Sequence, residues 1–225
     1  MRIINPLKAF KIFPFVTALR RTKHWPPQEI VDFSLASSIL RPAQIRSELQ
    51  RFAEIVAGVN PKLLLEIGTK NGGTLCVLSR LAAADGVIIS VDLPGGEYGG
   101  GYKWYYIPIF RSFVSGKQRL HLLRGDSHSP KIEAAVRDIV GKNRKLDLLF
   151  IDGDHSYSGV KSDFETYVDL VRPGGMVAFH DIAEHPPNLK CEVSQLWREL
   201  KGKYRHEEII ESHDQGWAGI GVLYI

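Results

Sequence analysis

The run Leu63-Leu64-Leu65-Glu66-Ile67-Gly68-Thr69-Lys70-Asn71-Gly72-Gly73-Thr74 constrains the fold more than any other stretch. Its apolar first half reads as a strand buried on both faces, as in a parallel sheet, and Gly68 and Gly72 let the backbone turn and pass close to a ligand before a helix starts. Glu66 stands at the strand's end beside these glycines, a position read as ligand-facing. The spacing Glu-x-Gly-x-x-x-Gly lacks the Gly-x-Gly-x-x-Gly pyrophosphate turn of dinucleotide sites, and a carboxylate there would repel phosphate. A cationic, phosphate-free nucleoside suits this turn better.

Downstream, strand and helix patterns alternate. Strands are predicted at 62–68, 86–92, 119–124, 146–151 and 175–180, with helices at 72–84, near 106–115, and at 130–141, 158–171 and 191–201. A further helix, from about Gln44 to Ala57, precedes the first strand. Such alternation predicts a doubly wound α/β fold with a parallel sheet and helices on both faces. Two last strand-like runs, Glu207 to Glu211 and Gly219 to Ile225, are joined by only Ser212-His213-Asp214-Gln215-Gly216, too short for a crossover helix, so they predict an antiparallel hairpin.

At 225 residues and 44% apolar content the chain can bury one such core. The expected organisation is a basic and aromatic arm over 1–43 and one domain over 44–225. Six Lys or Arg and no acid fall in the first 28 residues, leaving 23 basic against 25 acidic residues in the rest, so the net charge of +4 gives no sign of a nucleic-acid-binding body. Ile3, Ile4, Leu7, Phe10, Phe13, Phe15, Val16 and Leu19 alternate with the arm's basic residues; Pro6 and Pro14 interrupt a membrane-surface helix, and packing on the domain or on a second subunit is the preferred reading, hence an expected homo-oligomer. No apolar run reaches the roughly 20 residues of a transmembrane span, no cleavable leader pattern is present, and two cysteines, Cys76 and Cys191, point to reduced thiols and a cytoplasmic setting.

Acids recur at the ends of the predicted strands, where open α/β sheets bind ligands. Asp92 closes the second strand 26 residues after Glu66, the place of a ribose-binding acid. Asp126 and Ser127 follow the third, where Ser127 or Ser129 before Pro130 also suits a helix N-cap. The fourth runs into Asp152-Gly153-Asp154-His155, and the fifth ends in His180-Asp181. Between the second strand and its helix, Tyr98, Tyr102, Trp104 and Tyr105 in a glycine-rich segment read as a mobile flap that stacks on an acceptor, or as a loop packed on a neighbour. His128, Glu184, His185 and Trp217 are weaker rim candidates.

From the first motif through the tail, roughly residues 45–225, the chain resembles class I S-adenosylmethionine-dependent methyltransferases. Asp152 to His155 look like the families related to rhamnosyl O-methyltransferases and cephalosporin-hydroxylase-type enzymes, and more distantly like catechol and caffeoyl-CoA O-methyltransferases. The resemblance implies a Rossmann-like, mostly parallel seven-stranded sheet with a C-terminal antiparallel hairpin. It implies S-adenosylmethionine held by Glu66, Gly68, Thr69, Asn71, Gly72, Asp92, Asp126, Ser127 and Asp154, with Asp126 and Ser127 at the adenine. It implies Asp152 as a metal ligand and His155 in the place of the general base, where the distant relatives have lysine; an imidazole titrates near neutrality and needs no burial to take a proton.

Metal-dependent relatives carry Asp-Asn or Glu-Asp where this chain has His180-Asp181. Magnesium prefers oxygen, which suits Asp152 and Asp181 but not His180, so the expected set of Asp152, His180 and Asp181 holds magnesium or a softer ion such as manganese, unless His180 acts otherwise or the site is metal-free. The implied reaction is O-methylation of a small hydroxylated molecule such as a sugar or natural product. A dinucleotide-dependent oxidoreductase and a non-catalytic S-adenosylmethionine-binding protein are the competing classes.

Overall fold

The computed structural model describes residues 15–19, 25–95, 100–212 and 214–225. Residues 1–14 and 20–24 of the basic arm, together with Tyr98 of the expected flap, lie outside the described residues. Among the described residues, seven strands form one sheet in the order β3-β2-β1-β4-β5-β7-β6. These are β1 (Leu63–Ile67), β2 (Val87–Asp92), β3 (Arg119–Arg124), β4 (Leu146–Ile151), β5 (Val171–His180), β6 (Arg205–Ile209) and β7 (Ile220–Tyr224). The helices are α1 (Pro27–Ala36), α2 (Arg46–Val59), α3 (Gly73–Leu81), α4 (Ile107–Phe110), α5 (Pro130–Val140), α6 (Tyr157–Tyr167) and α7 (Val193–Lys201).

Strands β1 to β5 are parallel, and β7 runs antiparallel between β5 and β6, as the short tail connection requires. Every residue of β1 is buried because β2 and β4 flank it and helices cover both faces. The period of two splits the core. Leu64, Ile88, Leu148, Phe150, Ala178 and Val222 pack with Leu49 and Phe52 of α2 and Leu75 and Leu78 of α3. Leu65, Ile89, Leu149, Val177 and Leu223 pack on the other side with Val136 of α5, Tyr167 of α6 and Trp197 of α7. Each fully buried side chain of this size contributes roughly 1.5–3 kcal/mol over its exposed state.

The described part of the segment before Gln44 packs on the first of these layers: Phe15, Leu19, Ile30, Val31 and Leu40 are buried in it. Ser34 of α1 donates to the Gly73 carbonyl at 2.9 Å, which ties α1 to the start of α3. The helix expected near 106–115 shrinks to α4 preceded by a 3-10 turn, Trp104–Tyr106. Strand β5 begins four residues earlier than its apolar run because it re-enters the ladder at Val171 across an irregularity opposite Leu146 and Leu148.

Candidate active site

Chain order places the site. From β1 the sheet grows outward through β2 and β3, then resumes on the other side of β1 with β4 and β5, so the connections after β1 and β4 diverge and leave a crevice at their carboxyl ends. Gly68 and Asp152 begin these two connections and pass so close that a Cβ on Gly68 would lie 1.9 Å from the Asp152 carbonyl oxygen. Gly68 also has φ +90, so this position needs glycine on two counts. A cleft of about 590 Å³ opens here, lined by Gly68, Thr69, Asn71, Asp92, Asp126, Ser127, Asp152, Asp154, His155, His180 and Asp181 among others. Eleven of the thirteen residues expected to form the site thus meet in one cavity.

The other two, Glu66 and Gly72, do not line it. Glu66 is fully buried beneath the turn, with Oε2 accepting the Thr69 hydroxyl at 2.9 Å, while Ser90 Oγ lies 2.6 Å from the same hydroxyl. Its side chain therefore follows the alternation of β1 into the helix layer rather than facing a ligand. Burial pushes its pKa well above the usual carboxylate range, which the Thr69 hydroxyl only partly offsets. Gly72 has φ +80 and backs onto Phe110, whose Cε1 would be 2.3 Å from an added Cβ.

Asp92 braces the cleft. Its Oδ1 accepts the Thr69 amide at 3.1 Å, and its Oδ2 accepts the Tyr102 amide at 2.6 Å, joining the turn after β1 to the chain beyond β2. Tyr102 is consequently buried against Phe110 and offers no free face for stacking, contrary to the flap reading, whereas Trp104 is exposed. Asp126 Oδ1 accepts the His128 amide at 2.9 Å. The N-cap of α5 is Ser129, which leaves Ser127 on the cleft wall, where Tyr167 donates to its carbonyl at 2.7 Å. Asp154 Oδ1 accepts the Ser156 amide at 2.8 Å and packs on Gly159, while Ser156 caps α6.

Deeper in the cleft, two aspartates and three imidazoles converge. His180 Nδ1 lies 3.3 Å from Asp152 Oδ1 and 3.2 Å from Asp181 Oδ2. His155 Nε2 lies 3.5 Å from both of those oxygens, and His185 Nε2 lies 3.2 Å from Asp181 Oδ1. Burial opposes ionisation of Asp152 and Asp181, yet the adjacent His180 ring holds both carboxyls below their ordinary range. Burial would lower the His155 pKa, and the Asp152 and Asp181 carboxylates outweigh it and raise the ring above the usual imidazole value. Asp181 sits at φ 63, a left-handed conformation that Asp tolerates better than most residues, with Oδ1 accepting the Ala218 amide at 3.2 Å.

Several residues of this neighbourhood were not predicted from sequence. Gln44, just before α2, donates to Asp152 Oδ2 at 3.4 Å, and Cys191 joins His155 and Asp181 in a second potential donor group. Glu48 of α2 is fully buried, accepting the Glu211 amide at 3.0 Å, Gln215 Nε2 at 2.7 Å and the Gly219 amide at 2.9 Å; it anchors the loop that carries Trp217 to the cleft rim. Asp163, fully buried, is the partner of the rim candidate His128, whose Nε2 lies 3.2 Å from Asp163 Oδ1 and 3.1 Å from the Gly159 carbonyl oxygen. Apart from the charges at Glu48 and Asp163 on otherwise apolar helix faces, no local signal marks them.

Known proteins agree with this architecture. A family model described as a methyltransferase domain matches residues 65–182. An uncharacterized protein of Sinorhizobium fredii, y4gI, is 30% identical over 155 residues, covering 65% of this chain; the chain spans only 16% of that protein's length. Among solved structures, an O-methyltransferase from Bacillus cereus in complex with SAH aligns with a TM-score of 0.58 at 15% identity, over 95% of this chain and 100% of that one. The O-methyltransferase TomG from Streptomyces achromogenes, involved in tomaymycin synthesis and solved with SAM, aligns with a TM-score of 0.58 at 15% identity, over 90% of each chain. The family match spans more than half of the chain, from within β1 to just past the end of β5, and so this chain belongs to the methyltransferase-domain family, with the class I S-adenosylmethionine-dependent fold.

Proposed function

We propose that the chain transfers the methyl group of S-adenosylmethionine to a hydroxyl oxygen of a small molecule. The observation that carries this reading is one cleft shared by a nucleoside-sized wall, from Gly68 through Asp92 to Ser127, and the carboxylate–imidazole cluster of Asp152, His155, His180 and Asp181. In the reading, Asp92 accepts from the ribose hydroxyls with lone pairs left over from its three backbone donors, the Thr69, Lys70 and Tyr102 amides, and Asp126 and Ser127 border the adenine. Asp154 shapes the connection after β4 through Ser156, and Glu66 supports Thr69 from below.

The displacement is in-line: the acceptor oxygen bonds to the methyl carbon as the carbon–sulfur bond breaks, the sulfonium becomes a thioether, and the hydroxyl proton must leave. In this reading His155 takes that proton on Nε2, and Asp152 and Asp181, each 3.5 Å away, stabilise the imidazolium that results. Holding the acceptor opposite the sulfur supplies most of the acceleration.

Asp152, His180 and Asp181 also fit a divalent cation, because their ligand atoms converge, Nδ1 of His180 facing both carboxylates, while its buried Nε2 has no hydrogen-bond partner among the described residues. A cation held there would supply positive charge that acidifies a nearby acceptor hydroxyl. Calorimetry with S-adenosylhomocysteine and NAD tests the donor: micromolar binding of the first and none of the second is expected. Equal binding of Asp92→Ala and the parent would remove the ribose assignment.

A further inference from the structure

The ligand atoms around Asp181 support a narrower statement, which rests on the methyl-transfer reading above and concerns the ion in that cleft. We infer that the cluster of Asp152, His180 and Asp181 selects a first-row transition divalent cation over magnesium, with the His180 imidazole setting the preference.

His180 closes β5 with its side chain 3% exposed, at the floor of the cleft. Its Nδ1 lies at ion-pair distance from Asp152 and Asp181, while Nε2 has no hydrogen-bond partner among the described residues. A buried polar group left in that state is costly, and the cost disappears if a third body sits among the three groups. The separations of 3.2 and 3.3 Å match the spacing of adjacent ligands around a small ion, roughly 3.0–3.3 Å for bonds of about 2.0–2.1 Å.

The donor types decide between ions. Magnesium holds oxygen ligands in a strict octahedron and gives up water reluctantly, so a neutral imidazole gains little by replacing water on it. Manganese, iron, cobalt and zinc accept imidazole readily, and increasingly so along the series. Two carboxylates and one imidazole therefore favour these ions in a way that three carboxylates would not. The carboxylates are also held in place from behind, Asp152 by Gln44 and Asp181 by the Ala218 amide, as supporting contacts hold metal ligands. The neighbouring trio of His155, Asp181 and Cys191 adds another imidazole and a thiol, again groups that magnesium does not seek.

The test uses the purified chain freed of metal by a chelator, titrated with Mg²⁺, Mn²⁺, Co²⁺ and Zn²⁺ by competition dialysis. The parent should bind Co²⁺ about 1,000-fold or more tightly than Mg²⁺, and His180→Glu, which restores an all-oxygen set, should cut that ratio about tenfold or more. Comparable Mg²⁺ and Co²⁺ binding in the parent, an unchanged ratio in the variant, or no ion retained at all would overturn the inference. Should His180→Glu fail to fold by circular dichroism, proton NMR of the Co²⁺-loaded parent decides instead: hyperfine-shifted imidazole ring protons support the inference, and their absence refutes it. S-adenosylhomocysteine calorimetry on the metal-free parent runs in parallel. Loss of that binding would defeat the methyl-transfer reading alone, so the two failures are told apart.

Discussion

Removing the Glu48 carboxylate should loosen the tail of the domain while sparing the cofactor wall. Three donors converge on this buried group, and of their partners the Gly219 amide is itself buried. In Glu48→Ala the Gly219 N–H loses its acceptor, at a cost of about 1–3 kcal/mol, while the Glu211 amide and Gln215 Nε2 lie nearer solvent and recover part of their loss from water. With the cavity left by the side chain, the total comes to roughly 3–5 kcal/mol. For a chain of this size that lowers Tm by about 6–20 °C.

Urea unfolding followed by circular dichroism measures the change. Glu48→Gln should recover less than half of it, because the amide nitrogen must face one of the same donors. Hydrogen exchange at Gly219 should speed up in both variants. Since the affected loop carries Trp217 to the cleft rim, the acceptor KM should rise with S-adenosylhomocysteine affinity unchanged. A loss below about 1 kcal/mol in Glu48→Ala would refute the claim that this carboxylate pins the loop.

Other substitutions follow from the same geometry. Gly68→Ala must push a methyl into the Asp152 carbonyl at an unfavourable φ, so it should cost several kcal/mol, about 3 or more, and abolish cofactor binding; a variant that binds normally would disprove the close approach. Asp152→Asn should lower kcat at least about 100-fold with S-adenosylhomocysteine still bound, as calorimetry beside a turnover assay would show. His128, held mainly by its hydrogen bond to buried Asp163, has its pKa raised to about 9. The stabilisation from that pair should be full below about pH 6.5 and fade as pH rises through 9, so the parent's lead in stability over His128→Gln should shrink between pH 6.5 and 10; a constant lead would contradict the pairing. Burial pushes the thiols of both Cys76 and Cys191 up to about 12, so a disulfide reagent at neutral pH should label the folded protein slowly and the unfolded protein at once.

The sheet was legible where burial on both faces leaves a continuous apolar run, as in Leu63–Ile67 and Leu146–Ile151, and where connection length forbids a crossover, as before β7. The acids at strand ends were legible for the same reason, because a strand's end fixes where its next residues emerge. Side-chain direction was harder. Glu66 reads as facing a ligand until the alternation of β1 turns it into the helix layer, and Tyr102 reads as an acceptor platform until its amide is drawn to Asp92. Contacts across long sequence separations, such as Glu48 with Gly219 or His128 with Asp163, leave no periodic trace, since each is made by a single polar residue on an otherwise ordinary helix.

Both rims of the sheet end in charge. The outermost strand on one side reads Arg119-Leu120-His121-Leu122-Leu123-Arg124, and on the other Arg205-His206-Glu207-Glu208-Ile209. Cations at the ends of one border and a mixed ionic row along the other make poor templates for an incoming strand, the defence by which open sheets escape fibrous growth. A second copy of this molecule would therefore have to meet it through a helical flank rather than by lengthening the ribbon of strands.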